Sequence, residues 1–232
     1  NCRDVTVRDV TFVDSANYAI LLFLTDDVDI HNVTFIGGWD GIHWRGAPDR
    51  WCRNVRIPSC RFFTGADAIA GRYWENTLIS DCLINSSCNG IRLIGPARRL
   101  TIANNLFRGP GERPHLTSRE RQRTNMLSGI ILQPGAWDKT EGPLDEVLLA
   151  NKTMQNVASA VTLWTKPGNP VGRVTVQGLN ATGVYRAALS VESWAEEPIR
   201  EVIFRGVTVE FDGGGTAADA RREVKEIGRA HV

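Results

Sequence analysis

The stretch VDIHNVTFIGGWDGIHW, residues 28–44, contains three short apolar runs separated by turn residues. Apolar and polar side chains alternate in Val28-Asp29-Ile30, and a second run starts five positions later, at Val33. A third run, DGIHW, begins twelve positions after Val28. Alternation with a period of two over a few residues is typical of β-strands. The stretch therefore predicts three short strands within one turn of the chain.

The same arrangement recurs along the chain. Each copy begins with a short alternating run whose first residues are Val5, Val28, Val55, Thr77, Leu100, Val147, Val174 and Val202. Successive starts lie 22–28 residues apart, apart from one interval of 47. Strands this short cannot enclose a core within one copy, so each copy must stack on the next. The repeat predicts an all-β fold, a right-handed single-stranded parallel β-helix of about eight coils.

The domain prediction is a single β-helix domain over residues 1–226, with the N-terminal part missing because a strand is already expected at residue 4. Residues 213–226 leave the repeat and favour a helix. The last six residues, IGRAHV, match the translation of a common sequencing adapter, so they are excluded from the domain. A formal net charge of +1 points to neither nucleic acid nor a membrane surface. No apolar stretch is long enough for a membrane span, and no signal peptide is visible.

Because side chains alternate along a strand, successive residues of the third run in each coil point alternately into the core and out of it. Ile42 and its equivalents are expected to form an inward ladder, with members Ile20, Ile42, Ile69, Ile91, Ile130 and Val161. Trp44 has the inward parity of a core residue. Cys60 and Cys82 share a slot and are expected to be buried free thiols, since free cysteine packs well inside proteins.

The corner before the third strand brings together a column of polar residues. Asp40, Asp67 and Asn89 occupy one slot in three consecutive coils, where neighbouring backbones are about 5 Å apart. Two like charges at that distance raise one pKa, which suits general acid and base catalysis. The alternative is that Asp and Asn form the turn by bonding backbone groups.

Outward positions beside this column are candidates for the site. His43 joins Asp40 and Asp67 as a candidate catalytic residue. Guanidinium groups bind carboxylates by paired hydrogen bonds, and indole rings stack on sugars. The candidate substrate-binding residues are Arg45, Arg72, Arg92, Asn89 and Trp74. The sequence offers no Cys/His spacing for a metal, and no metal or other cofactor is expected. Residues 109–127 form an insertion of the fifth coil, either one wall of a cleft over this sheet or a solvated loop.

At these residues the sequence resembles the polygalacturonase-type, pectin-lyase-like glycoside hydrolases. WDGIHW at residues 39–44 and FTGADAIAG at residues 63–71 resemble that family's two aspartate coils, and NGIRLIG at residues 89–95 resembles its arginine strand. The resemblance implies an inverting hydrolase of galacturonan-like chains, acting without metal outside the cytoplasm. Asp40, Asp67 and Arg92 match the family's pattern. Three positions depart from it, namely Ala66 at the usual proton donor, Asn89 at the expected histidine and Ile94 at the lysine.

Three functions remain open from the sequence. The leading hypothesis is a glycoside hydrolase that acts on an acidic or decorated polysaccharide through the carboxylates of Asp40 and Asp67. The second is a polysaccharide lyase or epimerase, in which acids hold calcium and an arginine or histidine takes the sugar C5 proton. The third is a glycan-binding β-helix without catalysis. In each case the expected partner is a polysaccharide or oligosaccharide. The protein is expected to be a monomer located outside the cell or in the periplasm. The sequence has no glycine-rich loop that would bind phosphate, so it does not predict a nucleotide site. It also has no uniformly basic face, so it does not predict nucleic-acid binding.

Overall fold

The computed structural model describes residues 2–116, 123–136, 139–194 and 198–212. Every strand pairing in it is parallel, and each strand pairs with the equivalent strand of the next coil, about 4.8 Å away. The chain is thus a parallel β-helix, and the β-helix fold predicted from the repeat is confirmed. The helix predicted for residues 213–226 and the domain boundary at residue 226 lie outside the described residues. Within those residues, no helix is long and apolar enough to span a membrane.

Each of the first five coils has three strands, as predicted. The first strands are β1 (Val5–Arg8), β4 (Asp26–His31), β7 (Cys52–Pro58), β10 (Trp74–Ser80) and β13 (Ala97–Ala103). The second strands are β2 (Thr11–Val13), β5 (Thr34–Ile36), β8 (Arg61–Thr64), β11 (Leu83–Ser86) and β14 (Leu106–Arg108). The third strands, continued into coils six and seven, are β3 (Ile20–Phe23), β6 (Ile42–Arg45), β9 (Ile69–Arg72), β12 (Asn89–Leu93), β15 (Ser128–Leu132), β17 (Ser159–Thr165) and β19 (Ala187–Ser193).

Coils six to eight differ from the prediction. Their first and second strands run together as β16 (Leu144–Gln155), β18 (Val171–Val184) and β20 (Ile199–Phe211). β16 pairs with both β13 and β14, so the two strands of the fifth coil continue into one bent strand. The first and second strands consequently belong to one 13-stranded sheet, while the third strands form a separate 7-stranded sheet.

The bend between the first and second strands is made by one residue with positive φ. In six coils it is Asp9, Asn32, Ser59, Asp81, Asn104 or Asn151, with φ of 51–57°, and in two coils it is Gly178 or Gly206. Gly, Asn and Asp adopt this left-handed conformation at the lowest steric cost, which explains why they recur directly after the alternating run. Asn32 Nδ2 also donates to Asp9 Oδ1 of the previous coil at 2.8 Å.

In the core, side chains at equivalent positions of successive coils stack on one another along the axis of the β-helix. The predicted register of Ile20, Ile42, Ile69, Ile91, Ile130 and Val161 is confirmed pair by pair. Phe35 stacks on Phe62, with ring centroids 4.7 Å apart and an interplanar angle of 7°. Cys60 and Cys82 are buried free thiols, as predicted. The 7-stranded sheet thereby holds its outward positions in fixed columns, and these columns carry the candidate site.

Candidate active site

The corner column forms in the predicted register. Ile42 pairs with Ile69 and Ile69 with Ile91, so Asp40, Asp67 and Asn89, two residues earlier, share one slot. Asp40 Oδ1 accepts the backbone N–H of Asp67 at 3.2 Å. Asp67 Oδ1 accepts the backbone N–H of Asn89 at 3.0 Å and its side-chain Nδ2 at 2.8 Å. One oxygen of each carboxylate therefore caps the turn of the following coil.

Both carboxylates are buried instead of exposed to solvent. Asp40 is 9% exposed and Asp67 is 4% exposed. The described part of the insertion lies against this corner. The hydroxyl of Ser87 donates to the carbonyl of Arg113, and Glu112 N donates to Asn85 Oδ1 at 2.7 Å. The insertion thus packs onto coil four through these bonds, and the carbonyl of Pro114 lies close to Gly65 of coil three.

Asp40 and His43 form a dyad. Nδ1 of His43 lies 2.8 Å from Oδ2 of Asp40, and Nε2 of His43 is buried with no hydrogen-bond partner in the described part of the chain. The ring of Tyr18 stacks on His43 with centroids 4.3 Å apart. Burial raises the pKa of Asp40 above its usual value, and the charge of Asp67 adds to this increase against the opposing effect of His43. An aspartate that orients a histidine and leaves Nε2 uncommitted is a general-base arrangement.

Two arginines lie next to the dyad on the same face. Arg45 and Arg72 are paired in register on neighbouring coils. Nη2 of Arg45 donates to the hydroxyl of Tyr18 at 2.6 Å, and its guanidinium lies 5.2 Å from the Tyr18 ring centroid. Burial and the charge of Arg45 lower the pKa of Arg72. Two adjacent guanidinium groups that repel each other favour a bound anion between them.

The third arginine is engaged with the corner column. Nη1 of Arg92 lies 3.3 Å from Oδ2 of Asp67, and Arg92 is 8% exposed. With its side-chain amide turned to satisfy its neighbours, Gln133 accepts two hydrogen bonds from Arg92. Arg92 therefore neutralises Asp67, and the two groups hold each other in place.

Trp74 does not belong to the site, and its assignment to substrate binding is wrong. Its side chain is 0% exposed and stacks on Trp44 with centroids 4.3 Å apart. Trp74 lies in β10, on the 13-stranded sheet, and points into the core, as Trp44 does by its predicted parity. Trp74 is the first residue of its strand, and the strand sets the direction of the side chain, which here is inward.

Two residues of the site were missed by the site prediction. Tyr18 lies two residues before Ile20, in the slot that Asp40 occupies one coil later, so the register alone marks its position. His115 is a buried residue of the insertion, and burial together with the charge of Arg123 lowers its pKa to about 4. No sequence signal placed His115 near Asp67, because its position depends on how the insertion folds back.

The described residues contain no group of three or more His, Cys, Asp or Glu side chains placed to hold a metal ion. What the site offers is a histidine with one committed nitrogen, two buried carboxylates and three guanidinium groups on one face of a sheet. Groups of these types are able to transfer protons and to bind anions.

Comparisons with known proteins agree with the fold. A family model described as a right-handed β-helix region matches residues 1–110. No curated protein sequence matches the chain significantly.

Solved structures give remote matches. DFA-IIIase from Arthrobacter chlorophenolicus A6, without its lid, aligns with a TM-score of 0.45 and 11% identity. The alignment covers 87% of this chain and 55% of that one, so the chain spans about half of that protein's length. The A-module of the mannuronan C-5 epimerase AlgE4 from Azotobacter vinelandii aligns with a TM-score of 0.36 and 11% identity, over 93% of this chain and 79% of that one. The family match over residues 1–110 and the parallel coils through residue 212 together identify the fold as a right-handed parallel β-helix.

Proposed function

We propose that the protein acts on an acidic polysaccharide and that His43, oriented by Asp40, removes the C5 proton of a uronate residue. The observation that carries this proposal is the committed Nδ1 of His43, 2.8 Å from Asp40, together with an Nε2 atom that has no partner among the described residues. Arg45 and Arg72 lie beside it on the same face. A polymeric substrate agrees with the location outside the cytoplasm that the resemblance to polygalacturonase-type hydrolases implies.

The chemistry follows from these groups. The uronate carboxylate binds between the guanidinium groups of Arg45 and Arg72, which acidifies the C5–H bond next to it. Nε2 of neutral His43 takes the C5 proton, and Asp40 stabilises the imidazolium that forms. The electron pair left at C5 is delocalised into the carboxylate that the arginines hold.

Two outcomes are available from that intermediate. In a lyase, the electron pair forms the C4–C5 double bond and the glycosidic C4–O bond breaks, with its pair leaving on oxygen, which takes a proton from water. In an epimerase, water donates a proton to C5 from the opposite face and no bond to oxygen breaks. In both cases His43 then releases the abstracted proton to solvent. Tyr18 stacks over His43, so its ring must move aside for the sugar to reach Nε2.

Hydrolysis by a carboxylate pair is the second candidate. The raised pKa of Asp40 beside Asp67 favours it, because a protonated carboxyl next to a charged one can act as a general acid. Against it, Asp67 Oδ1 accepts two hydrogen bonds and Oδ2 pairs with Arg92. Neither oxygen is directed at a substrate, and Ala66 supplies no second acid.

The test is a panel of uronate polysaccharides incubated with the protein. A lyase produces reducing ends together with the ultraviolet absorbance of the new double bond. An epimerase incorporates deuterium from heavy water without shortening the chain, and a hydrolase produces reducing ends without absorbance. His43→Gln should abolish the first two activities. Wild-type turnover in that variant would refute the proposal, and polysaccharide binding without any turnover would indicate a binding protein instead.

A further inference from the structure

A groove continues from the candidate active site along the same sheet. It has a volume of about 190 Å³ and begins at Asn89, the last member of the corner column. It ends at Glu192 in the seventh coil, after three steps in register through Ser128 and Ser159 to Ala187. Coils are about 4.8 Å apart, so the groove is about 14 Å long, and its volume encloses about one sugar residue, with neighbouring sugars of a chain lying along its open side.

The groove has a mainly apolar lining, from Leu127, Ile131 and Leu189 among others, into which uncharged hydrogen-bonding groups are set. Hydroxyl groups come from Ser128, Ser159 and Thr162, and a half-buried hydroxyl comes from Ser190. Asn89 is 1% exposed, and its Oδ1 has no hydrogen-bond partner among the residues that the structure describes, whereas its Nδ2 is committed to Asp67. A buried acceptor left over at the mouth of a groove favours a hydroxyl donor from a ligand.

The far end carries a fixed negative charge. Oε1 of Glu192 accepts the indole N–H of Trp164 at 3.0 Å, and Oε2 accepts that of Trp194 at 2.9 Å. The two indoles stack with centroids 5.4 Å apart. Arg186 also lines the groove, but its side chain is exposed, and water screens its charge. The carboxylate of Glu192 repels an acidic sugar and accepts hydroxyl groups, and the Trp164 ring offers an apolar wall.

We propose that this groove binds neutral sugars of the substrate, while Arg72 and Arg45, one and two coils before it, hold a uronate. The inference rests on the proposed function and narrows its substrate class. The preferred substrate is a heteropolysaccharide in which an acidic sugar is followed by neutral ones, and a homopolymer of uronates is a poor ligand. Charge selects the sugar at each end, because like charges brought together in a partly buried groove destabilise the complex.

The experiment is calorimetric binding of three tetrasaccharides to the whole chain. The gellan repeat carries one uronate among three neutral sugars, the hyaluronan tetrasaccharide carries two uronates, and tetragalacturonate carries four. We expect affinity to fall in that order, with the gellan repeat binding about tenfold more tightly than tetragalacturonate. Glu192→Gln, at a half-buried position, should reduce this ratio several-fold by admitting the acidic oligosaccharide. Glu201→Gln is the matched control, since Glu201 pairs with Arg173 on the other sheet.

Three results would overturn the inference: no binding of the gellan repeat, equal or tighter binding of tetragalacturonate, or an unchanged ratio in Glu192→Gln with native thermal unfolding. Its failure is separable from that of the proposed function. A preference for the gellan repeat without turnover of any polysaccharide leaves the groove assignment intact and refutes the catalytic proposal. Turnover of polygalacturonate with equal binding of all three oligosaccharides supports the catalytic proposal and refutes the groove assignment.

Discussion

Asp40 accepts hydrogen bonds through both carboxylate oxygens, and the one from His43 reaches across only three residues of chain, from the corner to the second position of β6. The other comes from the backbone of the next coil. This double engagement fixes the imidazole against the sheet, so the orientation of His43 depends on the same corner that stacks the coils. The proposed chemistry therefore depends on a residue that also has a structural role, and the two roles can be separated by substitution.

Asp40→Asn should lower turnover by about 10²–10⁴-fold with the fold retained. Asparagine keeps an oxygen that can accept the Asp67 N–H, but it does not stabilise an imidazolium. The measurement is the initial rate on whichever uronate polysaccharide the panel identifies. Asp145→Asn is the control, because Asp145 also caps backbone N–H groups, at 2.9 and 2.6 Å, at another corner. Equal rates in wild type and Asp40→Asn would contradict the dyad.

Lys152→Met should increase the free energy of unfolding at pH 7 by about 1–4 kcal/mol. Lys152 is 1% exposed, its Nζ has no hydrogen-bond partner among the described residues, and burial lowers its pKa to about 7. A base with a depressed folded pKa destabilises the native state fully below that pKa, and the effect fades as the pH rises towards the unfolded value. The stability gap between variant and wild type should therefore be largest at pH 7 and below and should narrow by pH 9.

Denaturant unfolding at several pH values measures that gap. Lys139→Met is a suitable control, since Lys139 is 90% exposed and its charge is already hydrated. A Lys152→Met variant less stable than wild type at pH 7 would show that the ammonium group has a stabilising partner.

His115→Gln should flatten the dependence of stability on pH between about 4 and 6.5. In the wild type the folded pKa of His115 is about 4, below the usual 6.5, so the unfolded chain binds the proton more readily in this window. Stability is then lost as the pH falls from 6.5 to 4, by about 1–3 kcal/mol from this residue. Thermal unfolding across that range, compared with the exposed His31→Gln, measures the effect. Parallel curves for wild type and His115→Gln would contradict the burial of this imidazole.

Trp74→Leu should lower the free energy of unfolding by about 2–4 kcal/mol without raising KM at a temperature where the variant is folded. The substitution removes the ring that stacks on Trp44 in the core and leaves a cavity. Chemical unfolding and steady-state kinetics on the same preparation separate the two effects. A variant of unchanged stability with a raised KM would return Trp74 to the substrate site.

The coil register was predictable, because a solenoid repeats one backbone path and the period of two fixes each side chain's face. The column of Asp40, Asp67 and Asn89 and the core position of Trp44 follow from that rule alone. Burial of the column was not predictable in the same way. It depends on how the insertion and Tyr18 pack over the sheet, and neither follows the repeat. Trp74 shows the same limit, since a residue at a corner takes its direction from the strand that it enters.

The residues with positive φ at the bends occupy equivalent positions in the sequence, but the sequence analysis did not assign them to a turn. Asp9, Asn32, Ser59, Asp81 and Asn104 each directly follow, or follow by one residue, an alternating run. Their common property is tolerance of the left-handed region, which appears in the sequence only once the coils are aligned. The sequence does not show that the first and second strands run together in β16, β18 and β20. These strands keep the same left-handed residue at the bend, and only the hydrogen bonding between neighbouring coils continues through it.

The single left-handed residue at every bend has a consequence for how the molecule melts. Each coil contacts only the coil above and the coil below, so the protein unfolds as a one-dimensional cooperative array. Every coil in this array needs one residue in the left-handed conformation at its bend. Replacing Asp81 in the fourth coil by valine would place a weak link at the centre and divide the array into two separately melting blocks. The same replacement of Gly206, in the last of the coils that the structure describes, would leave the seven coils before it to unfold together.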